Sequence, residues 1–191
     1  KWRVYGLGMV GALDGVVFEN WTTCKDIPPH ARLMGYGLDY GYRNDPTAVT
    51  AIYYADNTWY LNELIYETGL LNRAISDKME RLGCDKYTTI TGDSAEMKSN
   101  AELRTYGWRV QDAKKGADSI VFGVSRMQEL NLVITERSTN IINEFTKYTW
   151  AIDKNNVSLN KPIDNFNHAI DGIRYFFQTN TSDPDQPRLV I

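Results

Sequence analysis

Tyr36-Gly-Leu-Asp-Tyr-Gly-Tyr-Arg-Asn-Asp45 sets an acid, Asp39, among residues that otherwise read as a buried β-strand. Met34, Tyr36 and Leu38 alternate with Gly35, Gly37 and Asp39, which is the period of a pleated strand. Asp45-Pro46 is a turn signal, and Ala48-Val-Thr-Ala-Ile-Tyr-Tyr54 follows as a second β-rich run, so the two form a hairpin. Glycines at 35, 37 and 41 leave space beside the carboxylate, where a metal or a phosphate backbone can approach the main chain. Asp and Gly also mark turns for conformational reasons, so on these residues alone a hairpin with an acid near its turn is the plainer reading.

The wider chain bounds what this stretch can belong to. Its 191 residues suit one domain with a short appendage, and 42% hydrophobic content supports a sizeable core. A net charge of -3 with two His means that nucleic acid would be met by a local basic patch and not by the overall field. Cys24 and Cys84 are too few for a disulfide framework or a cysteine zinc site, and read as reduced thiols in a cytosolic setting. No apolar run approaches the roughly 18 residues of a membrane span, so no membrane partner is expected. The chain opens at Lys1 without Met, which suggests a piece of something longer.

Taken in order, Trp2 to Val10 and Gly15 to Trp21 read as two short strands before the Ile27-Pro28-Pro29 stop, a β-rich lead-in over residues 1–30. Thr58 to Tyr66 adds a third strand to the hairpin, giving an antiparallel meander over 34–66. Helical period then takes over. Asn72 is placed as N-cap of a helix with Ile75, Met79 and Leu82 on one face and a stop at Gly83. Tyr87 to Thr91 is a β-branched run that ends at Gly92-Asp93-Ser94, so a second acid sits just past a strand end, where open α/β sheets form their sites. A helix over 95–106, a strand over 108–111, a helix over 118–130 and a strand over 132–135 follow. Thr139 is then expected to cap a helix carrying Ile142, Phe145 and Tyr148, and Asn155-Asn156 to make a turn. The last helix is expected over 166–178, with Phe166, Ile170, Ile173 and Phe177 as its apolar stripe and His168, Asp171 and Tyr175 together on another side. Gly172 inside a helix costs about 1 kcal/mol against Ala, which implies a close neighbour there. Residues 179–191 read as a polar, mobile tail.

Three acids, Asp39, Asp93 and Asp171, thus stand on a first strand, at a fourth strand's end and on a last helix, and only a fold can gather them. A meander followed by alternating helices and strands is the pattern of the ribonuclease H-like fold: an α/β mixed sheet, a three-stranded antiparallel meander plus parallel strands, flanked by helices. Gly37-Leu-Asp-Tyr-Gly41, Asn44-Asp-Pro-Thr-Ala48, Gly92-Asp-Ser-Ala-Glu96, Lys114-Lys-Gly-Ala-Asp-Ser-Ile120 and Asn167-His-Ala-Ile-Asp-Gly-Ile-Arg-Tyr175 together resemble the nuclease domain of phage terminase large subunits. The resemblance covers about 34–178, within a domain bounded at 31–178. Residues 1–30 resemble the connection that follows an ATPase motor in that family, and the chain itself has no G-x-x-x-x-G-K-[ST] phosphate loop.

The resemblance implies an endonuclease that cuts double-stranded DNA with little sequence preference during phage genome packaging. The motor domain, the small terminase subunit and the capsid portal are the implied partners, and the cytoplasm of the infected bacterium the setting. It maps the family's acids onto Asp39, Asp93 and Asp171 and its His-x-x-Asp pattern onto His168 and Asp171, with His168 orienting water or helping an acid hold metal. Hard carboxylate oxygens select Mg2+ or Mn2+, and two such ions about 4 Å apart can activate a water and stabilise the leaving 3′ oxygen. Many relatives have a fourth acid; here Asp77 and Glu80 have only helix-surface spacing to recommend them, so a second ion is expected to bind weakly without DNA. Lys114 and Lys115 are the expected phosphate contacts, while Arg104, Arg109 and Arg126 have no comparable support. Two other readings stay open on these residues: a different ribonuclease H-like phosphodiesterase such as a Holliday-junction resolvase, and a non-catalytic module that docks the motor on the portal.

Overall fold

The structure, a computed structural model, describes residues 15–116, 118–180 and 184, so the strand expected at 2–10 and most of the tail at 179–191 lie outside the described residues. In chain order, β1 (Trp21–Cys24), β2 (Arg32–Asp39), β3 (Thr47–Ala55) and β4 (Thr58–Glu67) lead to α1 (Asn72–Arg81) and β5 (Ile90–Gly92). Then come α2 (Met97–Thr105), β6 (Val110–Asp112), α3 (Ser119–Gln128), β7 (Leu132–Thr135) and α4 (Thr139–Lys147). A ribbon of β8 (Trp150–Ile152) and β9 (Ser158–Pro162) precedes α5 (His168–Thr179).

Seven strands form one mixed sheet in the order β1-β7-β4-β3-β2-β5-β6. The expected meander is its centre: β2, β3 and β4 pair antiparallel, while β5 runs parallel to β2 and β7 parallel to β4. Each face is covered by helices. Ile75 and Met79 of α1 and Leu103 of α2 pack with Tyr36, Leu38, Val49 and Ile65 on one face. On the other, Val124, Met127, Ile141, Phe145, Ile170 and Ile173, from α3, α4 and α5, pack with Ile52, Leu61 and Ile134.

The alternation in β2 decides where α5 lies. Tyr36 and Leu38 fill the α1 and α2 side, leaving the other side of the strand to Gly35, Gly37 and Asp39. A Cβ on Gly35 would stand 2.6 Å from the Phe176 ring, and one on Gly37 only 2.3 Å from the Gly172 carbonyl oxygen. Without side chains in the way, the helix backbone rests directly on the strand. The register shift between Leu33 and Gly35 places Met34 in the α5-side core, against simple alternation.

Several local expectations are corrected. Residues 15–20 do not form a strand: they make only an isolated bridge, Val16 to Thr149, while Val17 and Phe18 are buried; the strand is β1, which begins at Trp21 and runs parallel to β7 at the sheet edge. Asn72 is not an N-cap: Leu71 is, and the Asn72 amide donates to Glu102. Leu82 is exposed beyond the last turn, with Gly83 left-handed at φ 72 as expected of a helix stop. Tyr87 and Thr88 leave the strand because the Asp85 carboxylate accepts from the Tyr87 N–H and the Thr88 hydroxyl, which makes a turn. Ser138, not Thr139, caps α4. Phe166 is left-handed at φ 55 and lies outside α5, half-buried under Lys147, so the apolar stripe begins at Ile170. The β8–β9 ribbon is an addition around the expected Asn155-Asn156 turn, its strands of three and five residues being too short to show a strand period.

Candidate active site

Asp39 and Asp93 leave the same end of the sheet side by side, because β2 and β5 are parallel neighbours with Leu38 paired to Gly92. Asp171 reaches them from α5. A Cβ on Gly172 would lie 3.2 Å from the Asp39 nitrogen, so the helix sits on this strand end and its preceding residue joins the same cluster. Gly172 therefore answers the question its helix position raises: the close neighbour is β2. His168, one turn earlier, points Nδ1 at Asp39 Oδ2 (3.6 Å) and Nε2 at Asp45 Oδ1 (3.7 Å). His168 and Asp171 are not a solvated helix face: both are largely buried and turned toward the acid cluster.

The charges are unequal. Burial pushes the Asp39 carboxyl up to about 6; His168 opposes this, and Asp171 and Asp93 add to it. Burial likewise raises Asp171 against the pull of the Arg174 guanidinium. Burial acts upward on Asp93 too, but the Lys115 ammonium, the Ala95 N–H and the Tyr175 hydroxyl outweigh it and hold this acid below the usual range. The Asp39 carboxylate raises His168 above the ordinary imidazole value.

Two protein cations meet the cluster. Arg174, almost fully buried, donates Nε and Nη2 to Asp171 Oδ1 (3.1 and 3.0 Å) and Nη1 to Gln178. Lys115 pairs with Asp93 Oδ1 and lies 5.0 Å from the Tyr175 ring, while the Tyr175 hydroxyl donates to Asp93 Oδ2 (3.1 Å). Lys114 is tied by its backbone: its N–H donates to Thr179, and its carbonyl accepts from Gln178. Asp77 and Glu80 of α1 pair with Arg73 and with Lys86, which follows the helix, and Arg104 pairs with Asp112.

Supporting residues lie beneath. Glu144, fully buried on α4, accepts from the Tyr66 hydroxyl and the Ile170 N–H and so anchors the first turn of α5. Asn100, also fully buried, donates to the Asp93 carbonyl and Asp112 and accepts from Tyr40. Sequence reasoning missed Arg174, Glu144 and Asn100. The i,i+3 spacing of Asp171 and Arg174 was a usable signal; nothing local marks Glu144 or Asn100, whose partners lie on other elements.

The three carboxylates offer the hard oxygen donors that suit Mg2+ or Mn2+ in kind, with the His168 imidazole beside them. Their placement is less open: among the described residues no three His, Cys, Asp or Glu side chains form a ready metal-holding group, and Lys115 and Arg174 already neutralise two of the acids.

Comparison with known proteins supplies the context. Residues 39–179 match the model of the terminase RNAseH-like domain. The chain belongs to that family. Over 192 aligned positions it is 31% identical to the large terminase subunit of Bacillus phage SPP1, covering 93% of this chain but 44% of that protein, so it spans less than half of its curated relative. The terminase nuclease domain from the same phage, solved with bound Mn, is 30% identical with a TM-score of 0.74 over 85% of this chain and 97% of that one. The large terminase of a thermophilic bacteriophage, 19% identical, shares the fold at a TM-score of 0.68 over 88% of this chain and 46% of its own. The terminase nuclease fold, with its mixed sheet and flanking helices, is thus the fold of this chain. Among the described residues no helix is long and apolar enough to cross a membrane.

Proposed function

We propose that the chain is a metal-dependent endonuclease that cuts double-stranded DNA, with little sequence preference, when a phage genome is packaged. The observation that carries this is the meeting of Asp39, Asp93 and Asp171 at one sheet end in a member of the terminase nuclease family. The Mn in the related SPP1 domain supports a divalent cofactor. Asp39, Asp93 and Asp171 would hold Mg2+ or Mn2+. Such ions, when bound, activate a water and stabilise the leaving 3′ oxygen of a phosphodiester.

The chain's own residues do the rest. His168 keeps Asp39 oriented from Nδ1 and can hold a proton at Nε2, where Asp45 faces it. Arg174 fixes the rotamer of Asp171, and Tyr175 that of Asp93. Lys114 and Lys115, on the loop after β6, are the phosphate contacts. Residues 1–30 would join an ATPase motor, and the full-length protein would meet the small terminase subunit and the portal in the host cytoplasm.

Supercoiled plasmid incubated with the chain and Mn2+ or Mg2+ tests the reading. Nicking and linearisation are expected from the parent and not from Asp39→Asn or in EDTA. Intact plasmid at high protein with either ion would leave a non-catalytic docking module as the better account.

A further inference from the structure

The two cations on the acids differ in how they are held. The Arg174 side chain is 3% exposed and makes three hydrogen bonds to Asp171 and Gln178, with Gly123 packed so closely that a Cβ there would stand 2.4 Å from its aliphatic stem. It is a fixture. Lys115 is 35% exposed and reaches Asp93 through four methylenes from a loop. The root of that loop is pinned: the Ala113 N–H donates to the Gly92 carbonyl at 2.8 Å, and Lys114 is bonded to Thr179 and Gln178. Only the Lys115 side chain is left to swing, from an anchor that keeps it within reach of the site.

Asp93 is at the same time fully engaged. Its Oδ1 takes the Lys115 ammonium and the Ala95 N–H (2.7 Å), and its Oδ2 takes the Tyr175 hydroxyl (3.1 Å). An ammonium and a divalent ion cannot share one carboxylate oxygen without strong like-charge repulsion. We infer that Lys115 is a resident countercation which competes with the divalent metal for Asp93, and that its withdrawal sets the metal concentration at which the site loads. This rests on the metal-dependent reading above. Without metal, the lysine neutralises an acid that would otherwise add to the charge already crowded around Asp39 and Asp171; with metal, it must leave.

Mn2+ titrated calorimetrically into the DNA-free protein tests this apart from catalysis. Lys115→Met should bind Mn2+ about two- to fivefold more tightly than the parent, the scale of one partly exposed ion pair. Lys98→Met, which removes one charge from an exposed position of α2, should bind like the parent. If Lys115→Met melts out, Lys115→Gln, uncharged but hydrogen-bonding, carries the same comparison. Equal or weaker Mn2+ binding by a folded Lys115 variant would overturn the competition while leaving the nuclease reading intact. No Mn2+ binding at millimolar ion by either parent or variant would overturn both.

Discussion

Asp39 is held by its surroundings in a state it would not choose in water. Its carboxyl titrates near 6 in the folded chain against 3.8 ordinarily, because burial and two neighbouring acids disfavour its charge. A raised acid contributes stability below its unfolded value and loses it as pH rises through the folded one, so the penalty grows between about pH 4 and 6 and is complete above. Asp39→Asn, neutral at all these values, should therefore melt higher than the parent at pH 7.5 in EDTA, by up to about 3 kcal/mol. The gap should close as pH falls to 4; a melting difference independent of pH would show that the Asp39 charge is not the cause. His168→Ala, which removes an orienting imidazole but no acid, should slow plasmid cleavage by about 10 to 100 fold, a smaller loss than Asp171→Asn. Equal rates for His168→Ala and the parent would leave it a neighbour without a role. These acids and the histidine were readable because each sits at a strand end or on a helix face with a period of its own. Glu144 and Asn100 were not, since their partners are delivered by other elements of the fold; Arg174 shows only its i,i+3 spacing to Asp171, which does not by itself reveal its burial.

At the scale of elements, the glycine row of β2 and Gly172 of α5 determine whether the triad closes. Gly37→Ala would drive a methyl into the Gly172 backbone, which cannot move as a side chain can, so α5 must retreat. A stability loss of about 1–3 kcal/mol in denaturant melts is expected, with cleavage reduced further than the melt implies. Gly172→Ala meets its neighbours at 3.2–3.3 Å and gains helix propensity worth about 1 kcal/mol, so its stability should stay near the parent's while cleavage falls. If Gly37→Ala left both stability and rate unchanged, the close approach would not be what seats Asp171. The meander and the order of helices were legible because each element shows its period over many residues, and β7 because it is a compact β-branched apolar run. The lead-in was not: Val17 and Phe18 are adjacent apolar residues whose burial under α4 and beside Phe145 depends on tertiary contact. The β8–β9 ribbon was hidden by its shortness, since strands of three and five residues cannot show an alternation.

Across the whole molecule, two cores lie on either side of one sheet, and the candidate site opens where β2 and β5 end. DNA held at that end by phosphate contacts should bind all sequences alike. Lys114→Ala should lower the slope of log affinity against log salt by about one, as expected for one phosphate contact, and an unchanged slope would return Lys114 to a structural loop. The same layout has a temporal side. Asp171 is synthesised after Asp39, with the whole of the sheet between them, at about 5–20 residues per second, and contacts between such distant segments form late in folding. A nascent or truncated chain that stops short of His168 can build the meander and still lack its third acid. On the nuclease reading proposed above, a chain interrupted before α5 carries a sheet and two acids but no complete site, so the arrival of α5 sets the moment at which cutting can begin.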